Sequence, residues 1–578
     1  MKALKSKHIT SLVLSIIICA PSLQAGQTKE FISVQSRIYS NVNTAYFNKT
    51  QTKEETETLL ALYQLNSHQL LWFNVESPIT RINQLLTVFN KAKEQGLNPA
   101  DYNIKKLNSQ WLKLLRSNPS FVEFSDFDQI LSLTFIRYLN DLHYGRIDPK
   151  SIGYHLPKKQ FNNLAKPIFN ALQSNEIDTL ISNREPNNDT YKKLKIALKK
   201  YNKLNSLWNS PLKFGFEKSL RPGDWSTQVS SLRSYLNILQ STPTTSSKIS
   251  TPPDNNYIGE IVNKIRILQK NYNLVNDGII GKQTLSILNT PLSHRIKQIE
   301  LSMERIRWLP EQQEGPNIFV NIPAFRLWAN NPQLEDDNLN MKVIVGKTTK
   351  RVKDKKKYTT PEQIEAEAKS LQTPVFTADL SFLVFNPYWN IPKNILKKEV
   401  LPQLEKKPDY LEQHNMEIVP HFSHRAEILP NNEENISLLY TEQLRLRQRP
   451  GNKNSLGDIK FIFPNNYAIY LHDTPFKSLF RHTKRDFSHG CIRVESPQAL
   501  AKFILKNRKN WNKDKTKSIL KTKEPTIVGV LSSKIPVIIF YTTVLPNETD
   551  VSFYPDIYGL DKTLIAALTA RSQTITIN

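Results

Sequence analysis

Two neighbouring stretches decide how the C-terminal half of this chain folds: NYAIYLHDT, residues 466–474, and FSHGCIRV, residues 487–494. The first reads as a strand ending at His472, in which the alternation of Tyr470 and Leu471 sets the face the imidazole takes. Fifteen residues follow His472, and then come Ser488, His489, Gly490 and Cys491. A hairpin-like return of that length brings two strand ends within hydrogen-bond reach. Around these stretches lie NIFVNIPAFRLWA, MKVIVG, LSFLVFNPYW, IKFIFP and IPVIIFYTTVL, all short, rich in β-branched and aromatic residues, and mostly bounded by Asn, Pro or Gly. They predict a mainly-β domain over 316–546. A charged, more helical section at 393–447, opening KNILKKEVLPQLEKK, interrupts it. An insertion beside a site is a candidate lid, with a plain surface insertion as the alternative.

The N-terminal half has another texture. ETETLLALYQL, ITRINQLLTVFNKAKEQG and FDQILSLTFIRYLNDLHYG carry apolar residues three and four apart, which predicts a helical scaffold over 26–240. Ile82, Leu85, Leu86 and Phe89 share a face, and Gly96 is a stop. No chemical constellation stands out there. STPTTSSKISTPPDNN, 241–256, reads as an extended or flexible linker. The unit at 257–291 pairs a helical stripe of Ile258, Ile261, Val262, Ile265 and Leu268 with an Asp277-Gly278 turn and a second short helix, LSILN, capped by Thr284. A connecting helix follows at 292–315, with Ile296, Ile299, Met303 and Ile306 on one side. Residues 547–578 are left as a C-terminal extension. The predicted class is multidomain α+β.

The chain begins MKALKSKHITSLVLSIIICAPSLQA, with three lysines, a short apolar run and small residues up to Ala25. That is the pattern of a signal peptide spanning 1–25, cleaved near Ala25, and the run is too short to span a bilayer. A lipid-attached Cys19 is the alternative, though Ile18 is bulky for such a site. Export to the periplasm is the expectation, with no transmembrane segment. The formal charge is +26, and removal of three lysines and no acid leaves +23. Such a field favours acidic partners. In an exported protein these are envelope polymers or lipid head groups rather than nucleic acid, although scattered lysine also simply solubilises. KRVKDKKK at 350–357 reads as a solvated loop.

Cleavage would leave Cys491 as the sole cysteine of the two in the chain. A lone thiol in an oxidising compartment has reactivity as one reason for being there, and small-hydrophobe burial as the other. Thiol catalysis needs a thiolate, a base and oxyanion donors. His472 is the candidate base, and a cysteine beside an imidazolium has its pKa lowered by several units. Gly490 permits close backbone approach and positive φ, so the amides of Gly490 and Cys491 are candidate donors. Zinc held by His472, His482, His489 and Cys491 fits no common spacing. Ser488 lacks the glycine two positions before it that a hydrolase elbow requires.

The spacing His-x15-Ser-His-Gly-Cys, with Ile492-Arg493 after it, resembles the signature of the L,D-transpeptidases. LRQRPGNKNSLGDIKFIFPN leading into YLHDTP, TPVF at 373–376 and FYPDIYGLD at 553–561 agree. The 257–289 unit resembles the small helical peptidoglycan-binding repeat; a helical hairpin that only packs on the scaffold is the other reading. Arg493 stands where many relatives have Asn and the large periplasmic members usually have Arg. The resemblance implies that Cys491 is the nucleophile, His472 its base, His489 an orienting partner and the Gly490 and Cys491 amides the oxyanion hole. It implies a tetrapeptide stem as donor, loss of the terminal D-alanine, a thioester, and attack by a second stem to give a 3→3 cross-link. No cofactor or metal is implied. Ser488, Arg493, Tyr470 and Trp389 are candidate substrate-binding residues, with salt bridging or core packing as their plainer roles. Glycan strands, and other proteins of wall synthesis, are candidate partners. Carbapenem acylation of the thiol is a family trait. An L,D-carboxypeptidase, a lipoprotein-attaching transferase and a non-catalytic wall-binding scaffold are the competing readings.

Overall fold

The computed structural model describes residues 37, 52–75, 77–207, 213–240, 254–310, 315–334, 336, 338–348, 360–506, 508, 511–530, 534–548 and 550–576. The leader at 1–25, the cluster at 350–357 and most of the 241–256 segment lie outside the described residues. The chain is a multidomain α+β protein, helical toward its N-terminus and β-rich toward its C-terminus. No helix among the described residues is long and apolar enough to cross a membrane.

Local chemistry starts the N-terminal helices. Thr52 and Ser120 each close a capping box, with Glu55 and Glu123 three residues on, at the heads of Lys53–Leu65 and Phe121–Tyr144. Ile82, Leu85, Leu86 and Phe89 are buried together, and Gly96 ends its turn in the left-handed region. These helices close one core over 59–181. The helices Asp189–Leu207 and Val229–Gln240 belong instead to a second core that runs through the β-domain, so the helical region is shared between two cores.

In the 257–291 unit the helix is Glu260–Asn271, and Ile258 lies ahead of it, exposed rather than in the stripe. Thr284 does not cap: the second helix is Lys282–Leu288 with Gly281 before it, and the buried Thr284 hydroxyl accepts from Gln269. Gln269 explains the Leu-Gln…Asp-Gly pattern. Its amide donates to Asp277 and to the Ile279 carbonyl, and its oxygen accepts from the Gly278 N–H at 2.8 Å. The helix Val229–Gln240, on the far side of the 241–256 segment, ties in through Gln240, which donates to the Lys264 carbonyl.

The connecting helix α1 (Leu292–Trp308) buries Ile299, Met303 and Ile306, as its spacing requires, but it buries its polar side too. Arg305 pairs with Asp561 and donates to the Tyr154 hydroxyl at 3.0 Å. Arg307 pairs with Glu304 and donates to the Tyr191 hydroxyl at 2.8 Å. Asp561 belongs to the last helix, α2 (Leu560–Thr576). Further along α2, Arg571 reaches Asp141 at 2.7 Å and Asp101 at 3.4 Å on the N-terminal helices. The C-terminal extension is therefore a strap between the two cores.

The β-domain centres on a 12-stranded sheet. Four of its strands carry the argument: β1 (Leu339–Gly346), β2 (Ile459–Ile462), β3 (Leu471–His472) and β4 (Ile492–Val494). They lie in the order β1, β4, β3, β2. β2 runs antiparallel to β3, but β3 and β4 pair in parallel. The expected hairpin-like return is thus a crossover, because parallel neighbours cannot be joined by a tight turn. That crossover contributes a further strand, Asp486–Ser488, beside β1. Alternation turns Ile459, Phe461, Leu471, Ile492 and Val494 into the core. The 393–447 section has its own small core and a three-stranded sheet formed by Trp389–Asn390, Arg445–Gln448 and Met416–Val419.

Substituting Arg571→Ala leaves Asp141 and Asp101 buried with one cation fewer. We expect a loss of about 3 kcal/mol, partly recovered by adding Asp141→Asn, as read by the denaturant midpoint of the full chain. An unchanged midpoint would show that α2 does not secure the two cores.

Candidate active site

The face of the sheet opposite the core carries the chemistry. Register sets Lys460 of β2 across from His472 of β3, and His472 beside Arg493 of β4. One step back, Tyr470 and Cys491 take the same face by alternation, and the Ile492 N–H donates to the Tyr470 carbonyl at 3.1 Å. The Cys491 thiol donates weakly to the Ala468 carbonyl at 3.8 Å, and the Tyr470 side chain acts on the sulfur from the same face. The Tyr470 and His472 rings are 5.6 Å apart. The sequence-predicted Cys491, His472, Tyr470 and Arg493 thus converge on one patch.

His472 is buried, and its Nδ1 lies 2.5 Å from the carbonyl oxygen of Asp473. A carbonyl only accepts, so the proton sits on Nδ1 and Nε2 is left as the basic nitrogen. Burial first, and then the Arg493 and Lys460 charges, push this imidazole down to about 3, against the opposing hydrogen bond to Asp473. Cys491 is half-buried, and burial pushes its thiol up, against the hydrogen bonds from Tyr470 and the charges of Lys460 and Arg493. The expected thiolate–imidazolium pair is therefore not the resting state. Two fixed cations and desolvation disfavour a third positive charge, so thiol and imidazole rest neutral.

Gly490 has φ +114, and a Cβ there would meet Ile469 Cδ1 at 3.2 Å, so the loop before the thiol requires glycine. Its N–H donates to Ser488 Oγ at 3.2 Å and its carbonyl accepts from Thr373 Oγ1 at 2.7 Å. Of the two candidate oxyanion amides, Gly490 is thus engaged within the loop. The Cys491 N–H makes no hydrogen bond among the described residues. Ser488 is buried and braces the loop. Thr373 also accepts from the Gly346 N–H. Gly346 is needed there, since a Cβ would fall 2.2 Å from the Leu371 carbonyl oxygen. Tyr558 completes the brace, donating to the Gly346 carbonyl at 2.8 Å and accepting from the Thr373 N–H.

His489 points the other way. Its Nε2 lies between the Lys347 ammonium at 2.9 Å and the Glu399 carboxylate at 2.5 Å. Glu399 sits on a π-helical turn, Leu396–Val400, of the 393–447 insertion and also acts on Arg493. The insertion therefore touches the loop that holds the thiol. Trp389 packs against the insertion's own core. Among the described residues no three His, Cys, Asp or Glu side chains converge as metal ligands. Lys460, Thr373, Tyr558 and Glu399 are the residues that sequence reasoning missed. Thr373 and Tyr558 lay inside blocks read only as family resemblance, and Glu399 inside a section with no recognisable pattern. Lys460 carried one signal, a lysine on the non-core side of the strand next to His472.

Three segments match known domain families. Residues 57–198 match a scaffold domain, 226–288 a "Putative peptidoglycan binding domain", and 315–552 the L,D-transpeptidase catalytic domain. The second match includes the helix Val229–Gln240. A curated relative in Haemophilus influenzae, named "Putative L,D-transpeptidase", is 29% identical over 318 residues, 54% of this chain and 59% of its own length. This chain thus spans about three-fifths of that relative. The crystal structure of the L,D-transpeptidase from Xylanimonas cellulosilytica is matched over 57% of this chain and 100% of its own, at 12% identity and a TM-score of 0.17, too low to carry weight for the fold. A scaffold match, a peptidoglycan-binding-type match and an L,D-transpeptidase catalytic-domain match thus follow one another along the chain, the last over residues 315–552.

Proposed function

We propose that this protein is a periplasmic L,D-transpeptidase that joins peptidoglycan stems by 3→3 cross-links through a thioester on Cys491. The observation that carries the reading is the patch itself: thiol, imidazole and tyrosine on adjacent strands of a matched catalytic domain, with Nε2 of His472 as the basic nitrogen. As Cys491 attacks the carbonyl of the stem's third residue, its proton passes to His472 Nε2. The negative charge on the carbonyl oxygen is met by the Cys491 N–H and by nearby cations. One good donor of this kind contributes about 3 kcal/mol to the barrier. The imidazolium so formed is a strong acid between Arg493 and Lys460, so it readily gives its proton to the departing amine of D-alanine. The side-chain amine of a second stem then attacks the thioester, returning its proton to His472, and the amide is remade without ATP.

Arg493 lies where an acidic group of the stem would approach, and Glu399 of the insertion acts on it. The peptidoglycan-binding-type unit and the basic surface fit a role in holding the chain on the wall. The 1–25 leader supports export, with cleavage near Ala25. Domain limits follow the sequence reading, with Val229–Gln240 joined to the wall-binding unit.

Two measurements test this. Incubating the purified full chain with disaccharide-tetrapeptide should give dimers lacking one D-alanine by mass spectrometry, and Cys491→Ala should abolish them. Tripeptide monomers alone would indicate the hydrolase, and dimers from Cys491→Ala would end the mechanism. Because the thiol rests neutral and its pKa is raised, iodoacetamide should label Cys491 at a rate that climbs about tenfold per pH unit from pH 6 to 8. A rate already level across that range would instead indicate a thiolate–imidazolium pair.

A further inference from the structure

Lys460 has entered the reaction so far only as a charge beside His472, and its position calls for more. On β2, Ile459 and Phe461 turn into the core, so Lys460 takes the face that bears His472 and Arg493. Lysine is a poor strand residue, and here its charge is also desolvated. Its ammonium lies 3.9 Å from the centre of the Tyr470 ring, the face to which a cation is attracted. That same ring takes the face of Cys491 by alternation, and the Tyr470 carbonyl accepts from the Ile492 N–H, next to the thiol, at 3.1 Å. The charged group that acts on Lys460 is the Cys491 sulfur, and no carboxylate among the described residues pairs with it.

We infer that Lys460 is a positioning residue for the nucleophile: seated on the Tyr470 ring, its ammonium stabilises the Cys491 thiolate while the thiol proton passes to His472. The inference rests on the reading of Cys491 as nucleophile. In that step the S–H bond breaks, the electron pair stays on sulfur and the proton goes to His472 Nε2. Lys460 keeps its own protons throughout. The groups acting on the sulfur are Tyr470, just before β3, Lys460 on β2 and Arg493 on β4, with Glu399 of the insertion acting on Arg493; Arg493 and Lys460 also act on His472. Lys460 does two things at once: it favours charge on sulfur and disfavours charge on His472. That combination drives the proton onward to the leaving amine rather than trapping it on the base.

The test compares Lys460→Met, which keeps the stem and removes the charge, with Lys460→Arg, which keeps the charge. For the full chain, the rate of Cys491 alkylation by iodoacetamide is followed from pH 6 to 10. We expect the alkylation midpoint of Lys460→Met to move about one unit alkaline and its rate at pH 7 to fall about tenfold, with Lys460→Arg within about twofold of the parent. A lowered melting temperature with an unmoved midpoint in Lys460→Met would overturn the inference, since Lys460 would then be structural. An equal shift in both variants would overturn it too, because charge would not be the agent. Neither outcome touches the nucleophile reading, which stands or falls with product formation by Cys491→Ala.

Discussion

The site depends on one parallel pairing, in which the Ile492 N–H donates to the Tyr470 carbonyl. That bond fixes the register of β3 against β4. Because side chains alternate with a period of two, the register decides which residues share a face. With this register Tyr470 meets Cys491, and His472 lies beside Arg493. A slip by one residue would put Leu471 on the site face and send His472 into the core. The crossover between the strands is held for the same purpose. Asp473 accepts from the Asp458 and Thr474 N–H groups, and Asp486–Ser488 pairs with β1. Both ends of the excursion are pinned before the Gly490 turn delivers the thiol.

Electrostatics then sets the resting state. Arg493 and Lys460 flank a buried imidazole and a half-buried thiol, and they pull in opposite directions on the two. They depress the basicity of His472 and offset part of the desolvation of the sulfur. The outcome favours the neutral form of both groups. On the function proposed above, such a pair is well matched to amide donors, because the imidazolium formed in the attack must reprotonate an amine. Glu399 brings a balancing negative charge to this loop from the insertion.

Much of this was legible in the residues. The helical spacing around Ile82–Phe89, the apolar strand segments and the His472–Cys491 motif each rest on local periodicity or on residue chemistry, and each appears where the pattern put it. What could not be read depends on distant pairing. Parallel and antiparallel returns look alike in a single sequence, so the spacing suggests a hairpin-like return where the chain makes a crossover. Ile258 fits a helical stripe by spacing, yet the helix starts after it, at Glu260. The ionisation of the thiol is not legible either, because the burial that pushes the thiol up and the imidazole down is set only by the tertiary fold. The polar side of α1 reads as solvent-facing by pattern, and is buried because α2 and the N-terminal helices close over it.

That buried seam also bears on the chemistry. α2 begins just after Tyr558, which holds the Gly346 carbonyl and the Thr373 N–H, while Thr373 in turn holds the Gly490 carbonyl. Two residues after Tyr558 the helix starts, and its Asp561 engages Arg305 of α1. A run of hydrogen bonds and one ion pair, joined through the chain at 558–561, therefore links the connecting helix to the loop that carries Cys491. Each buried polar group in it has few alternatives, since an unpaired partner would bear the full cost of desolvation. The loop around Gly490 is consequently positioned by the assembled multidomain chain as well as by the β-domain. Without α2 the Asp561–Arg305 pair would be lost, and Tyr558 would be held by the β-domain alone, through Tyr541, Gly346 and Thr373.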